Sequence, residues 1–274
     1  MAASRKPKSR IVITGAAGRV GLKLIAHFAA IESFELVLID RDSRGNDAIH
    51  EADLRRYDPA WTELFSKTDA VVHLAGEAHP DAPWASQAAD NLEPSLNVFR
   101  AATENGVRRV VYASSLQTML GYRYASQPIA ADAQPRPVSF YGAAKLFCEA
   151  MARRFAEDGK FSAICLRLGG VETGNEPPAR KMSVHARGIW LATSDLCQAF
   201  EKAILAEDVR FAVLPVASDN FAMPWDLSET RRTIGYAPTE GYAKHASAVT
   251  TKIKSALGWA YRRYIDPRWR NYWD

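Results

Sequence analysis

A strand that runs straight into a glycine-rich turn and then into a helix leaves a chain few folds to adopt. Arg10-Ile11-Val12-Ile13 is a short apolar run that reads as a buried strand, and Thr14-Gly15-Ala16-Ala17-Gly18-Arg19-Val20-Gly21 follows without a break. Beyond the turn, Val20, Leu22, Leu24, Ile25 and Phe28 mark one apolar face at helical spacing. Glycines at 15, 18 and 21 permit a tight reversal, close approach of a pyrophosphate to the backbone, and close packing of helix on strand. The free N–H groups and partial positive charge of the helix start suit phosphate oxygens. Gly15, Ala17, Gly18, Arg19 and Val20 are therefore the candidate phosphate contacts.

A second strand, Phe34-Glu35-Leu36-Val37-Leu38-Ile39, ends at Asp40, 19 residues past Gly21. An acid there suits the adenosine ribose hydroxyls of a dinucleotide and repels a 2′-phosphate, so the expected cofactor is NAD, with NADP disfavoured. Arg41 and Arg19 would favour NADP instead if either turned inward. Strand and helix then alternate. Asp69–Leu74 reads as a strand, roughly Trp84–Asn105 as a helix, Arg108–Ala113 as a strand, and Phe161–Leu166 as another. Past residue 170 come a helix near Asp195–Leu205, a strand over Phe211–Val216 and a helix near Trp225–Ile234. This pattern implies βαβ units, hence an α/β fold with a doubly wound parallel sheet of Rossmann type. The expected divisions are a basic tail over 1–9, a dinucleotide-binding domain over 10–170, a small substrate-side lobe over 171–241, and a basic aromatic helix or tail over 242–274. The Pro-rich stretches Pro128–Pro137 and Glu176–Pro178 read as loops beside the site.

A chain of 274 residues, 47% hydrophobic, can bury a full core. Three scattered cysteines without a C-x-x-C point to a reduced, cytoplasmic setting with no structural zinc, and no motif has metal-ligand spacing. No apolar stretch approaches membrane-spanning length, and Met1 to Arg10 reads without an apolar signal region. The net charge of +4 divides into +4 over 1–10, −5 over 11–241 and +5 over 242–274. A mildly acidic body with basic ends argues against a nucleic-acid scaffold.

Tyr141 and Lys145 stand four apart in Ser139-Phe140-Tyr141-Gly142-Ala143-Ala144-Lys145, with Ser114-Ser115 upstream. Positions i and i+4 share a helix face. An ammonium one turn beyond a phenol favours the phenolate and is expected to draw its pKa down. A tyrosine so tuned takes a proton from a substrate hydroxyl while a hydride leaves the same carbon.

Glycine turn, serine pair and Y-x-x-x-K in this order resemble an extended short-chain dehydrogenase/reductase, of the NAD-dependent epimerase/dehydratase family. The resemblance covers nearly all of 10–240, taking in Asp53-Leu54, Leu74-Ala75-Gly76, Asn91 to Asn97, Ala113-Ser114-Ser115 and Leu166-Arg167-Leu168-Gly169. Within it, Asp132-Ala133-x-Pro135-Arg136-Pro137, Trp190–Asp195 and Ile234-Gly235-Tyr236-x-Pro238 are similar to the uronate dehydrogenase group. The resemblance implies Ser115, Tyr141 and Lys145 as catalytic residues. It also implies Asp40, Asp53, Leu54, Leu74, Ala75, Gly76 and Asn91 beside the cofactor, with Tyr141 and Lys145. Ser115, Gln117, Glu77, Arg180 and Arg187 become the expected substrate contacts, the arginines facing a carboxylate. Asn97 is a candidate to hold the active-site helix and a water, His73 a satisfied core histidine. Arg167 either meets an anionic substrate or forms an internal salt bridge.

The chain also departs from that group. Leu116-Gln117 replaces its Asn-His after the serines, Gly170 replaces a serine, and its Arg-x-Met stretch survives loosely as Arg180-Lys181-Met182. The expected function is thus NAD-dependent oxidation of a small-molecule sugar or sugar acid, a uronate to its aldonolactone being one case. Alternatives are a nucleotide-sugar epimerase that retains NAD, or a non-catalytic NAD-binding sensor. The tail past 242 interleaves arginines with Trp259, Trp269, Tyr272 and Trp273. It reads first as a helix docked on the body or on a second subunit of a homo-oligomer, and less readily as a membrane-surface or RNA contact.

Overall fold

The structure is a computed structural model that describes residues 8–123, 128–130, 132–177, 184–221 and 223–242. The chain opens with β1 (Ser9–Thr14), α1 (Arg19–Ala29) and β2 (Phe34–Asp40). Next come a short β3 (Ile49–Glu51), α2 (Pro59–Thr62) with a 3₁₀ turn after it (Glu63–Phe65), and β4 (Ala70–His73). α3 (Trp84–Gln87) passes through a π-helical turn (Ala88–Leu92) into α4 (Glu93–Glu104). β5 (Arg109–Ser115) leads into a 3₁₀ segment (Leu116–Tyr122), and α5 (Phe140–Glu157) into β6 (Ser162–Leu168). α6 (Val184–Gly188), α7 (Thr193–Leu205), β7 (Phe211–Val216) and α8 (Ser228–Ile234) follow.

All seven strands lie in one parallel sheet in the order β3-β2-β1-β4-β5-β6-β7. Chain order reverses between β1 and β4, and in open α/β sheets ligands bind beyond the carboxyl ends of the strands at such a switch point. Register aligns the ends that matter: Thr14 sits opposite His73, and Ser115 opposite Leu168. The sheet is buried on both faces, so its strands read as near-continuous apolar runs. One face packs Leu24 and Phe28 of α1 with Leu196, Phe200 and Ile204 of α7. The other packs Val98 and Phe99 of α4 with Cys148 and Ala152 of α5.

The long helix expected over 84–105 is present with a widened turn at its centre. Pro94 has no N–H to give the Asp90 carbonyl, and the loss of that i→i−4 bond accounts for the π-turn. The turn carries Asp90 and Asn91. β7 pairs with β6 at the sheet edge, which ties the region past 170 to the main sheet. β3 went unrecognised in the sequence because three residues carry no periodicity. The 3₁₀ segment after Ser115 lacks an amphipathic repeat for the same reason. Among the described residues no helix is long and apolar enough to cross a membrane.

Candidate active site

The glycine turn is built for close approach. Gly15 has φ +73°, and a Cβ there would lie 2.6 Å from the Ala75 backbone nitrogen, so only glycine lets the β1 turn press against the β4 turn. α1 begins at Gly18 with no side-chain cap and no acid in its first turn. The N–H groups of its first turn are left for an anion, which fits a pyrophosphate here. Ala17 N–H differs: it donates to Asp40 Oδ2 at 2.9 Å, and Arg41 N–H donates to Oδ1 at 2.7 Å. Asp40 is thereby fixed at the end of β2, beside the turn, where a ribose diol would meet a carboxylate.

Neither arginine that would have favoured NADP faces that point. Arg41 Nη1 donates to Asp90 Oδ1 at 3.0 Å, and Arg19 Nη1 donates to the Val171 carbonyl at 2.8 Å. Asp53 accepts from Arg55 Nε at 2.8 Å and Nη2 at 2.7 Å, and that hydrogen bonding holds its carboxyl below the usual carboxylate range. Leu54 is buried beside it, and its carbonyl accepts from Asn97 Nδ2 at 2.9 Å. Asn97 therefore braces the Asp53-Leu54 loop.

Leu74, Ala75 and Gly76 leave β4 opposite the glycine turn, Ala75 N–H approaching Thr14 Oγ1 at 3.4 Å. Asn91 is buried, and its Nδ2 donates to the Glu77 carbonyl at 3.2 Å and to Gln87 Oε1 at 2.7 Å, while its Oδ1 has no hydrogen-bond partner. A Cβ at Gly76 would lie 2.4 Å from that oxygen, so the loop and the π-turn are in contact. His73 is the satisfied core histidine expected. Its Nδ1 lies 2.7 Å from Thr14 Oγ1 and its Nε2 3.0 Å from Ser95 Oγ, which itself donates to the Asn91 carbonyl at 2.6 Å. Burial pushes its pKa down to about 3, so the ring is neutral. Ser95 was not singled out from the sequence, since it sits in no recognisable motif, and Thr14 was read only as the start of the glycine turn.

The catalytic candidates converge at the carboxyl ends of β4 and β5. Ser115 is the last residue of β5, and its hydroxyl acts on the Tyr141 phenol in the direction that favours the phenolate. α5 starts where Ser139 Oγ accepts from Gly142 N–H at 3.1 Å. A Cβ at Gly142 would lie 2.5 Å from the Gln117 carbonyl, so this glycine seats α5 against the segment after Ser115. Gln117 N–H donates to Ser115 Oγ at 3.2 Å. Lys145 Nζ lies 5.6 Å from the Tyr141 ring centre and 5.0 Å from that of Tyr112.

One expectation is corrected here. Tyr141 is pushed up to about 12, not drawn down: burial is the main cause, outweighing the lowering by the Ser115 hydroxyl, and the negative charge of Glu77 adds to the rise. Lys145 does not counter this, because burial lowers its own pKa to about 8 and it is neutral at the pH where the phenol ionises. The Glu77 carboxylate itself accepts from His79 N–H at 2.7 Å, within the loop after β4.

Arg167 forms the internal salt bridge. Its Nε and Nη2 donate to Glu149 Oε1 and Oε2 at 2.9 and 2.7 Å, and Ser114 Oγ donates to Oε1 at 2.5 Å, all buried. The pair ties α5 to β5 and β6, one turn beyond Lys145. Arg187 in α6 lies with its guanidinium 5.3 Å from the Tyr242 ring centre, and its buried Nε has no hydrogen-bond partner. Arg180, and the tail past 242, lie outside the described residues. Among the described residues no group of three or more His, Cys, Asp or Glu is placed to hold a metal ion.

Comparison with known proteins agrees with the fold. The model of the NAD dependent epimerase/dehydratase family matches residues 11–195. L-arabinose 1-dehydrogenase (NAD(P)(+)) of Haloferax volcanii is 34% identical over 254 residues, covering 86% of this chain and 98% of that one. A uronate dehydrogenase of Pseudomonas syringae pv. tomato is 28% identical, covering 86% of this chain and 84% of its own. Among solved structures, the glucuronic acid dehydrogenase of Chromohalobacter salexigens superposes with a TM-score of 0.75 at 27% identity, covering 85% of each chain. The chain is an enzyme of the NAD-dependent epimerase/dehydratase family, akin there to NAD(P)-dependent sugar dehydrogenases.

Proposed function

We propose that the protein oxidises a free sugar or sugar acid at its anomeric hydroxyl, giving the aldonolactone, with NAD as oxidant. The observation that carries this is the grouping of Ser115, at the carboxyl end of β5, with Tyr141 and with Lys145, whose Nζ lies 5.6 Å from the Tyr141 ring centre one turn on. NAD, when bound, supplies the hydride acceptor. Tyr141 takes the hydroxyl proton, and Ser115 orients the oxygen and stabilises the carbonyl as it forms. Lys145 supplies positive charge beside the phenol and a contact for the nicotinamide ribose. Asp40 holds the adenosine ribose, and the first turn of α1 holds the pyrophosphate.

Two observations bear on the substrate in opposite directions. The carboxylate of Glu77 acts on Tyr141 and disfavours a second negative charge there, which suits a neutral aldose. The unpartnered Nε of Arg187 suits a carboxylate, which supports a uronate as the second reading. The relatives divide the same way, into an arabinose and a uronate dehydrogenase. NADH formation measured with arabinose, glucose, glucuronate, galacturonate and UDP-sugars, with Tyr141→Phe as control, separates them. A neutral aldose is expected to turn over, and turnover of glucuronate that Arg187→Ala removes would select the uronate reading. Activity with UDP-sugars alone, or full activity in Tyr141→Phe, would sink the proposal.

A further inference from the structure

Asp90 stands on the π-turn between α3 and α4, outside both the glycine turn and the Ser–Tyr–Lys group. Its Oδ1 accepts from Arg41 Nη1 at 3.0 Å and lies 3.7 Å from Arg55 Nη1. Ser86 Oγ approaches its other oxygen at 3.5 Å. Arg41 directly follows Asp40 at the end of β2, and Arg55 follows Asp53-Leu54 in the loop after β3. The three side chains thus join the end of β2 and the loop after β3 to the start of the helix after β4. These are the elements that flank the adenosine end of a dinucleotide lying across the carboxyl edge of the sheet.

We infer that Asp90 sets cofactor preference by holding Arg41 away from the 2′ position of the adenosine ribose, so that Asp40 and Asp90 together exclude a 2′-phosphate. The inference rests on the cofactor reading of this groove. Arg41 is well placed for the opposite task. Its backbone N–H is fixed on Asp40, so its side chain starts beside the ribose, and a guanidinium pairs with phosphate through parallel N–H bonds. What turns it aside is a single carboxylate. The Arg41 side chain is 61% exposed, so the pair is weakly held and easily exchanged for a better partner. The Asp90 carboxylate also adds a negative charge within screening range of any phosphate bound there. Arg55 keeps Nε and Nη2 on Asp53, which leaves only its Nη1 facing Asp90. Asp90 is a positioning residue, acting through Arg41.

The test is calorimetric titration with two fragments that differ only at the 2′ position, 5′-AMP and 2′,5′-ADP. It compares the full chain with Asp90→Asn, Asp90→Glu and the Asp90→Asn/Arg41→Ala pair. Asp90→Asn is expected to raise affinity for 2′,5′-ADP relative to 5′-AMP by about five- to tenfold, the range that loss of one exposed ion pair plus one unit of repulsion allows. The gain should shrink with salt and fall to the part owed to lost repulsion when Arg41 is also removed, while Asp90→Glu keeps the original ratio. An unchanged ratio in Asp90→Asn overturns the inference, as does a gain that loss of Arg41 leaves undiminished. Failure of the unaltered chain to bind 5′-AMP at all would overturn the cofactor site itself. Binding of 5′-AMP with an unmoved ratio overturns the role of Asp90 alone.

Discussion

Replacing Lys145 by methionine is expected to stabilise the protein while disabling it. Burial takes the Lys145 ammonium from its ordinary 10.5 down to about 8. One pKa unit corresponds to about 1.4 kcal/mol, so at pH 7 the buried charge costs the fold on the order of 3 kcal/mol. The sign follows from proton counting. Between about pH 8 and 10.5 the unfolded chain binds more protons than the folded one, so the native protein gains stability as pH rises through that window. Below pH 8 the cost is fully present. Methionine keeps the unbranched stem and carries no charge. The stability gain of Lys145→Met should therefore be about 3 kcal/mol at pH 7, about 2 at pH 9 and below about 1 at pH 10. In a chain of this size that is a rise in Tm of about 6 °C at pH 7. Urea and thermal melts of both proteins at the three pH values measure it. A variant less stable than the parent at pH 7, or a difference that does not change with pH, would refute the reasoning.

Gly21→Ala places a Cβ 2.4 Å from the Gly15 carbonyl oxygen and 2.5 Å from that of Ala16. It should cost about 1–3 kcal/mol in urea melts and weaken NAD binding by distorting the turn. Glu149→Gln strands the buried Arg167 guanidinium without its carboxylate and should cost about 3–5 kcal/mol, much of which Glu149→Leu/Arg167→Met together should restore. Because Tyr141 is raised to about 12, the phenolate that serves as base grows with pH. The kcat/KM for oxidation should accordingly climb through the neutral range. Tyr141→Phe should lower it by about 10²–10⁴ and flatten the profile, which steady-state rates at several pH values check.

The sequence by itself determined the parts of this protein whose signals are local. Strand, glycine turn and helix lie within 20 residues of one another, and so do the Tyr141–Lys145 spacing and the acid that closes β2. Their geometry follows from backbone sterics and helical periodicity, so they were legible without a fold. The strand at Phe211–Val216 was legible for the same reason. Where a side chain points across the molecule was not. Arg41 and Arg19 read equally well as phosphate ligands until Asp90 and the Val171 carbonyl, 49 and 152 residues away, claimed them. Arg167 read as an anion contact or as half of an internal salt bridge, and only the fold supplied Glu149 as its partner. The tyrosine shows the same limit in energy terms. Spacing placed a lysine beside it and implied a lowered pKa, but desolvation depends on how many atoms the whole fold packs around both groups, and in the folded chain that burial raises Tyr141 and lowers Lys145.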